Sequence, residues 1–134
     1  MKCVAVTPER TVFEQTVNFV VLPLWDGEFG VEASHSPVVA RLGCGELRLT
    51  LADNTVERWF IEGGVVEVAH DVISILTNYT CRVEELDFQA AQLDLEKAIA
   101  LPTSTPQMTE ARDVAVRIAR AKFSVARRVD PQRG

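Results

Sequence analysis

Residues 79–101 read YTCRVEELDFQAAQLDLEKAIAL, and the period of their apolar residues changes partway through. The first five, Tyr79 to Val83, are dominated by aromatic and β-branched residues that suit a pleated strand. From Glu84 to Leu101 there is neither glycine nor proline, and Ile99 is the only β-branched residue, which is helix-forming material. On a helical wheel Leu86, Ala90 and Leu93 make one apolar stripe, while Phe88, Ala91, Leu95, Ala98 and Ile99 make a second. A helix apolar on two sides is expected to lie between two neighbours. A structural boundary is therefore expected at residue 83, with one domain over 1–83 and another over 84–134.

Upstream of that boundary the period is two. In ELRLTL, Leu47, Leu49 and Leu51 point one way and Glu46, Arg48 and Thr50 the other. In TVERWF, Val56 and Phe60 fall on one face, interrupted by Arg58. The segments CVAV, VNFVVL, VVEVA and VISIL are short and rich in valine and isoleucine. Turn signals separate these runs: Thr7-Pro8, Asp26-Gly27, Ala52-Asp53-Asn54, Gly63-Gly64 and His70-Asp71. Many short strands without an intervening helix predict an N-terminal β-sandwich or barrel domain.

Downstream, PTSTPQM carries two prolines and reads as a loop between antiparallel helices. The second helix is expected from about Thr109 as its N-cap. Ala111, Val114, Ala115, Ile118, Ala121, Val125 and Val129 form its apolar face, with Arg117, Arg120, Arg127 and Arg128 opposite. The fold class is a β-sandwich followed by a C-terminal antiparallel α-helical hairpin.

Composition narrows the function. With 134 residues, 47% of them hydrophobic, the chain can build a core without disulfides or a structural metal. Its net charge of −5 offers no positive field for a general nucleic-acid binder. The charge is uneven, since residues 109–134 hold 3 acids against 7 bases. Cys3, Cys44 and Cys81 are far apart and match no CxxC spacing, so they read as reduced thiols of a cytosolic protein. No apolar h-region opens the chain and no run approaches the roughly 18 apolar residues of a membrane span. Membrane association is expected only through a partner.

The stretch WDGEFGVEASHSP, residues 25–37, concentrates candidate chemistry. Asp26, Glu28, Glu32 and His35 could act as acid, base or metal ligands. No second cluster completes such a site, because His70 sits in a turn beside Asp71. GxSxG, HExxH, Walker A and GxGxxG are all missing. The plainer reading is a hairpin turn at Asp26-Gly27, with Gly30 permitting a tight bend. The glycines of RLGCGEL and EGGVVEV precede strands, not a helix N-terminus, and so read as bulges or turns instead of a phosphate cradle.

Taken in order, Gly27-Glu28-Phe29-Gly30, His35-Ser36-Pro37, Leu42-Gly43-Cys44-Gly45 and Gly63-Gly64-Val65-Val66-Glu67-Val68 follow a family pattern. The chain resembles the epsilon subunit of F-type ATP synthases over nearly its whole length. The resemblance implies a non-catalytic subunit without a cofactor, at the foot of the central rotor stalk. It would couple ion translocation to ATP synthesis and restrain ATP hydrolysis through its hairpin. By the same resemblance, Glu28, with Gly27 and Gly30, docks on the polar loops of the c-ring, and His35 and Pro37 meet the gamma subunit. The basic face of Arg117, Arg120, Arg127 and Arg128 then meets the catalytic alpha/beta head when the hairpin extends. The family's Leu-Asp-x-x-Arg-Ala nucleotide motif survives here as Leu86, Asp87 and Ala91, with Ala90 where the arginine would stand. The implied location is peripheral, on the cytoplasmic face of the cell inner membrane within the complex. The alternatives from other classes are a free-standing nucleotide-sensing module with a ligand-gated helical lid, and a carboxylate–histidine enzyme.

Overall fold

The valine-rich alternation forms seven strands: β1 (Lys2–Val6), β2 (Thr11–Leu24), β3 (Gly27–Glu32), β4 (Val38–Leu51), β5 (Val56–Ala69), β6 (Val72–Leu76) and β7 (Thr80–Arg82). The computed structural model describes residues 1–129. They fall into two units that divide between Arg82 and Val83, and residues 130–134 of the expected hairpin domain lie outside the described residues.

The strand order is β1-β6-β5-β4-β2-β3, and β1 also pairs with β2, so five of the strands close into a ring. β1 joins β6 in parallel, while its pairing with β2 is antiparallel. The sandwich buries Val20, Leu22, Val31, Leu47, Leu49, Ile61, Val66, Ile73 and Ile75 in its core. Each such side chain contributes about 1.5–3 kcal/mol through removal of apolar surface from water. Leu47 and Leu49 lie in this core as the alternation requires.

Two expectations for β5 are corrected. Gly63-Gly64 is not a turn, because β5 runs unbroken from Val56 to Ala69 and pairs with β4 on both sides of the glycines. The pair acts as an irregularity within the strand, with φ of +69° and +111°. At Gly64 a Cβ would collide with the Leu76 carbonyl of β6, so only glycine allows β5 and β6 to approach. The facing of TVERWF also differs: Val56 is 53% exposed, whereas Trp59 and Ile61 enter the core. Phe60 is buried on the opposite face, beside the Tyr79 ring. Strict alternation fails there because both faces of the strand are covered.

His70 and Asp71, with φ of 54° and 63°, form the two-residue turn between β5 and β6. Both positive φ values match the right-handed twist of a tight hairpin. Asp53 organises the β4–β5 turn by accepting hydrogen bonds from the Thr55 amide at 3.0 Å and hydroxyl at 2.6 Å. Those bonds favour the ionised carboxylate and hold its pKa below the ordinary value.

In the second unit a 3-10 turn at Val83–Glu85 precedes α1 (Phe88–Ile99), and α2 spans Pro106–Val129. The helices pack as the hairpin the sequence suggested, with the rings of Phe88 and Phe123 5.1 Å apart. Arg112 of α2 donates to the Ile99 carbonyl at 3.2 Å, satisfying an orphan acceptor at the C-terminus of α1.

The helix details need three corrections. α2 begins at Pro106, not near Thr109: the Thr105 hydroxyl accepts from the Met108 amide at 3.1 Å, making Thr105 the cap. Proline suits the first helical position because its missing N–H has no intrahelical partner there. On α2, Ala111 and Val114 are exposed, while Val116, Ala119, Val125 and Ala126 are buried. On α1 only the stripe of Ala91 and Ala98 is buried, with Leu95 half-buried, and Leu93 is 51% exposed. The two-sided helix of the expectation thus buries one side.

Candidate functional site

The segment 25–37 opens with a hairpin in which Leu24 of β2 pairs with Gly27 of β3. Trp25 and Asp26 form the tip, and Trp25 is 67% exposed. Gly30 does not make the expected bend. It lies inside β3 opposite Val21, and a Cβ there would come within 2.9 Å of the Phe19 ring. The glycine leaves room for that ring to lie across β3.

Strand register then places Glu28. Glu28 pairs with Pro23, Arg48 with Val21, and Arg58 with Arg48, so Glu28, Arg48, Glu46 and Arg58 all project from one face. Arg48 Nη1 lies 3.6 Å from Glu28 Oε2 and 3.9 Å from Glu46 Oε1. Arg58 Nε lies 3.8 Å from the same Glu46 oxygen. Four alternating charges therefore cross from β3 over β2 to β4 and β5. The Glu46 side chain is 5% exposed and that of Glu28 62%, so the chain of charges runs from a sequestered end to an open one.

The loop after β3 is held separately. Asp71 Oδ1 accepts from the Ser34 amide at 3.0 Å, tying the loop to the β5–β6 turn. The His35 ring stands edge-on to Phe29 at 5.3 Å, and its Nδ1 donates to the Ser36 carbonyl at 2.7 Å. Pro37 follows and leads directly into β4. Glu28 and Phe29 are adjacent in a strand and point to opposite faces, so the histidine stacked on Phe29 is not brought to Glu28. Glu28 and Glu32 are four strand positions apart, about 13 Å. The carboxylates and His35 do not converge as one acid–base site. Among the described residues, no three His, Cys, Asp or Glu side chains are grouped to hold a metal ion.

In the second unit Asp87 is the N-cap of α1, accepting from the amides of Gln89 at 2.8 Å and Ala90 at 3.1 Å. Its carboxylate is thus engaged by the backbone. Ala91 is buried and Leu86 half-buried. Arg117, Arg120, Arg127 and Arg128 are all exposed, and at 3.6 residues per turn they fall within an arc of about 100° on α2. They form one basic face, as the wheel predicts.

Sequence reading missed the partners of Glu28. The alternation in ELRL put Glu46 and Arg48 on one face, but nothing local to the segment says that β2 lays that face beside Glu28. No helix among the described residues is long and apolar enough to cross a membrane.

Comparison with known proteins bears on the fold and the family. The family described as ATP synthase, Delta/Epsilon chain, beta-sandwich domain matches residues 1–83. The ATP synthase epsilon chain of Rhodopirellula baltica is 41% identical over 127 residues, covering 95% of this chain and 98% of that one. A chain of the Euglena gracilis mitochondrial ATP synthase, solved as an OSCP/F1/c-ring assembly, aligns with a TM-score of 0.80 at 22% identity, covering 91% of this chain and 78% of that one. A chain of the Tetrahymena thermophila mitochondrial ATP synthase central stalk/c-ring aligns with a TM-score of 0.72 at 15% identity, over 94% and 96% of the two chains. At those identities the two structural likenesses are likenesses of fold, whereas the similarity to the Rhodopirellula protein runs through both the sandwich and the hairpin: this chain belongs to the ATP synthase epsilon chain family.

Proposed function

We propose that the chain serves in the central stalk of a rotary F-type ATP synthase as a non-catalytic subunit, coupling ion movement through the c-ring to ATP synthesis. The observation that carries this reading is the β2–β3 hairpin, which offers Glu28 and Trp25 to a partner on a rigid two-stranded support. Glu28, with Gly27 and Gly30 beside it, meets the polar loops of the c-ring. His35 and Pro37 meet the gamma subunit, and the loop that bears them is braced by Phe29 and Asp71. In this role the subunit lies peripherally on the cytoplasmic face of the cell inner membrane, with membrane contact only through the complex and no nucleic-acid partner. The sandwich, taken as residues 1–83, is the docking body, and the hairpin, 84–134, is the regulatory element.

The hairpin restrains ATP hydrolysis by presenting Arg117, Arg120, Arg127 and Arg128 to acidic groups of the catalytic alpha/beta head. A nucleotide-gated lid is less well supported, because Ala90 replaces the arginine of the family motif and Asp87 already serves as a helix cap. The test is reconstitution of the complete ATP synthase with Glu28→Ala in this chain. The expected result is normal assembly, with fewer ions moved per ATP hydrolysed. A parental ratio in that complex would remove Glu28 from the coupling surface.

A further inference from the structure

Glu28 stands at the open end of the charge chain that runs through Arg48 and Glu46 to Arg58, and the order of charges gives each member a different task. Arg48 uses one nitrogen, Nη1, toward both Glu28 at 3.6 Å and Glu46 at 3.9 Å. Glu46 is shared with Arg58 at 3.8 Å, so Arg48 is steered from its inner side by a carboxylate that is itself fixed by a second cation. β2 lies between the strands of Glu28 and Arg48, so the pair also bridges strands that share no hydrogen bond.

We propose that Arg48 is the positioning residue for Glu28, holding its Oε2 oxygen inward so that the rest of the carboxylate is presented to a basic group of the docking partner. This inference rests on the reading that Glu28 meets the c-ring. A glutamate side chain at an exposed position samples several rotamers, and docking would have to order them. Arg48 orders them before docking, which favours association by preorganisation. The partner chemistry follows from the sign: the group that meets Glu28 is a lysine or arginine on a polar loop. Arg58 holds the inner end of the chain and makes no ion pair with Glu28, so it provides a control that strips Glu46 equally.

The experiment uses the complete ATP synthase reconstituted in lipid vesicles, with ions moved per ATP hydrolysed as the readout. The variants are Glu28→Gln, Arg48→Gln, Arg58→Gln and the double variant Glu28→Gln/Arg48→Gln. Arg48→Gln is expected to lower the ratio about two- to five-fold, the range of one partly exposed ion pair. The double variant should do no worse than Glu28→Gln alone, since the two residues act through one contact. Arg58→Gln, which leaves the Arg48–Glu28 pair itself intact, should lower the ratio less than Arg48→Gln does even where it lowers thermal stability as much. If Arg48→Gln reduces incorporation into the complex, Arg48→Met preserves the packing of the side-chain stem and takes its place. A parental ratio for Glu28→Gln overturns the docking reading and this inference together. Impaired Glu28→Gln beside normal Arg48→Gln, additive losses in the double variant, or equal losses for Arg48→Gln and Arg58→Gln overturn the positioning role alone.

Discussion

Replacing Gly64 with alanine would set a methyl group against the Leu76 carbonyl, where β5 and β6 run side by side. Two costs add. The φ of +111° is one that a residue with a Cβ scarcely adopts, costing about 1–3 kcal/mol. Relieving the collision requires moving β6, and overpacking of this kind costs about 1–3 kcal/mol more. The neighbouring glycine isolates the second cost: at Gly63 φ is +69° and a Cβ would meet nothing within 4 Å. Gly63→Ala should therefore lose only about 1–2 kcal/mol of conformational energy. For a domain of this size about 1 kcal/mol shifts Tm by 4–8 °C. The summed cost of about 2–6 kcal/mol for Gly64→Ala lowers Tm by about 8–48 °C, and the single cost for Gly63→Ala by about 4–16 °C. Thermal unfolding of the full chain, followed by far-ultraviolet circular dichroism, measures both. Equal Tm losses in the two variants would refute the close approach of β5 to β6 as the reason for the glycine pair.

Alanine at all four of Arg117, Arg120, Arg127 and Arg128 should raise ATP hydrolysis several-fold in the assembled enzyme while leaving synthesis near the parental rate, because about 0.5 kcal/mol per exposed pair suffices to shift a balance of a few kcal/mol. The gain should shrink at high salt, and equal hydrolysis by variant and parent at low salt would reduce the face to a solvated one. Asp87→Ala should cost about 1 kcal/mol by removing both cap hydrogen bonds of α1, read as reduced helical signal and earlier melting of the hairpin; Asp87→Asn should recover most of it. Cys3 is fully buried and burial pushes its thiol up to about 12. At pH 8 only about one molecule in ten thousand carries its thiolate, so Cys3 should stay unlabelled by thiol reagents until the sandwich unfolds.

The division between strand and helix was legible because the apolar period itself changes after Arg82, and no tertiary knowledge is needed to see it. Leu47 and Leu49 were legible for the same reason. Phe60 was not, since a strand covered on both faces loses its alternation just where Trp59 and Ile61 turn inward. Gly63-Gly64 has the composition of a turn and is distinguished from one only by the Leu76 carbonyl of a neighbouring strand. Thr105-Pro106 did carry the start of α2 in plain view, because threonine before proline is a cap followed by a first helical residue. Reading the proline as a breaker hid it. The surface position of Glu28 could be inferred from its flanking glycines, but its pairing with Arg48 depends on the register of β2, which irregularities between Val21 and Leu24 displace.

β3 ends the strand order and pairs with β2 alone among the described strands, so one of its margins presents backbone donors and acceptors to solvent. Such a margin invites another strand to add to it, and natural sheets discourage this with charge. Here the acids are Glu28 and Glu32, with Asp26 at the turn, on a strand of six residues. Two copies meeting edge to edge would bring carboxylate against carboxylate. Glu28, proposed to meet the stalk partner, would therefore also join Glu32 and Asp26 in guarding the newly made chain against self-association.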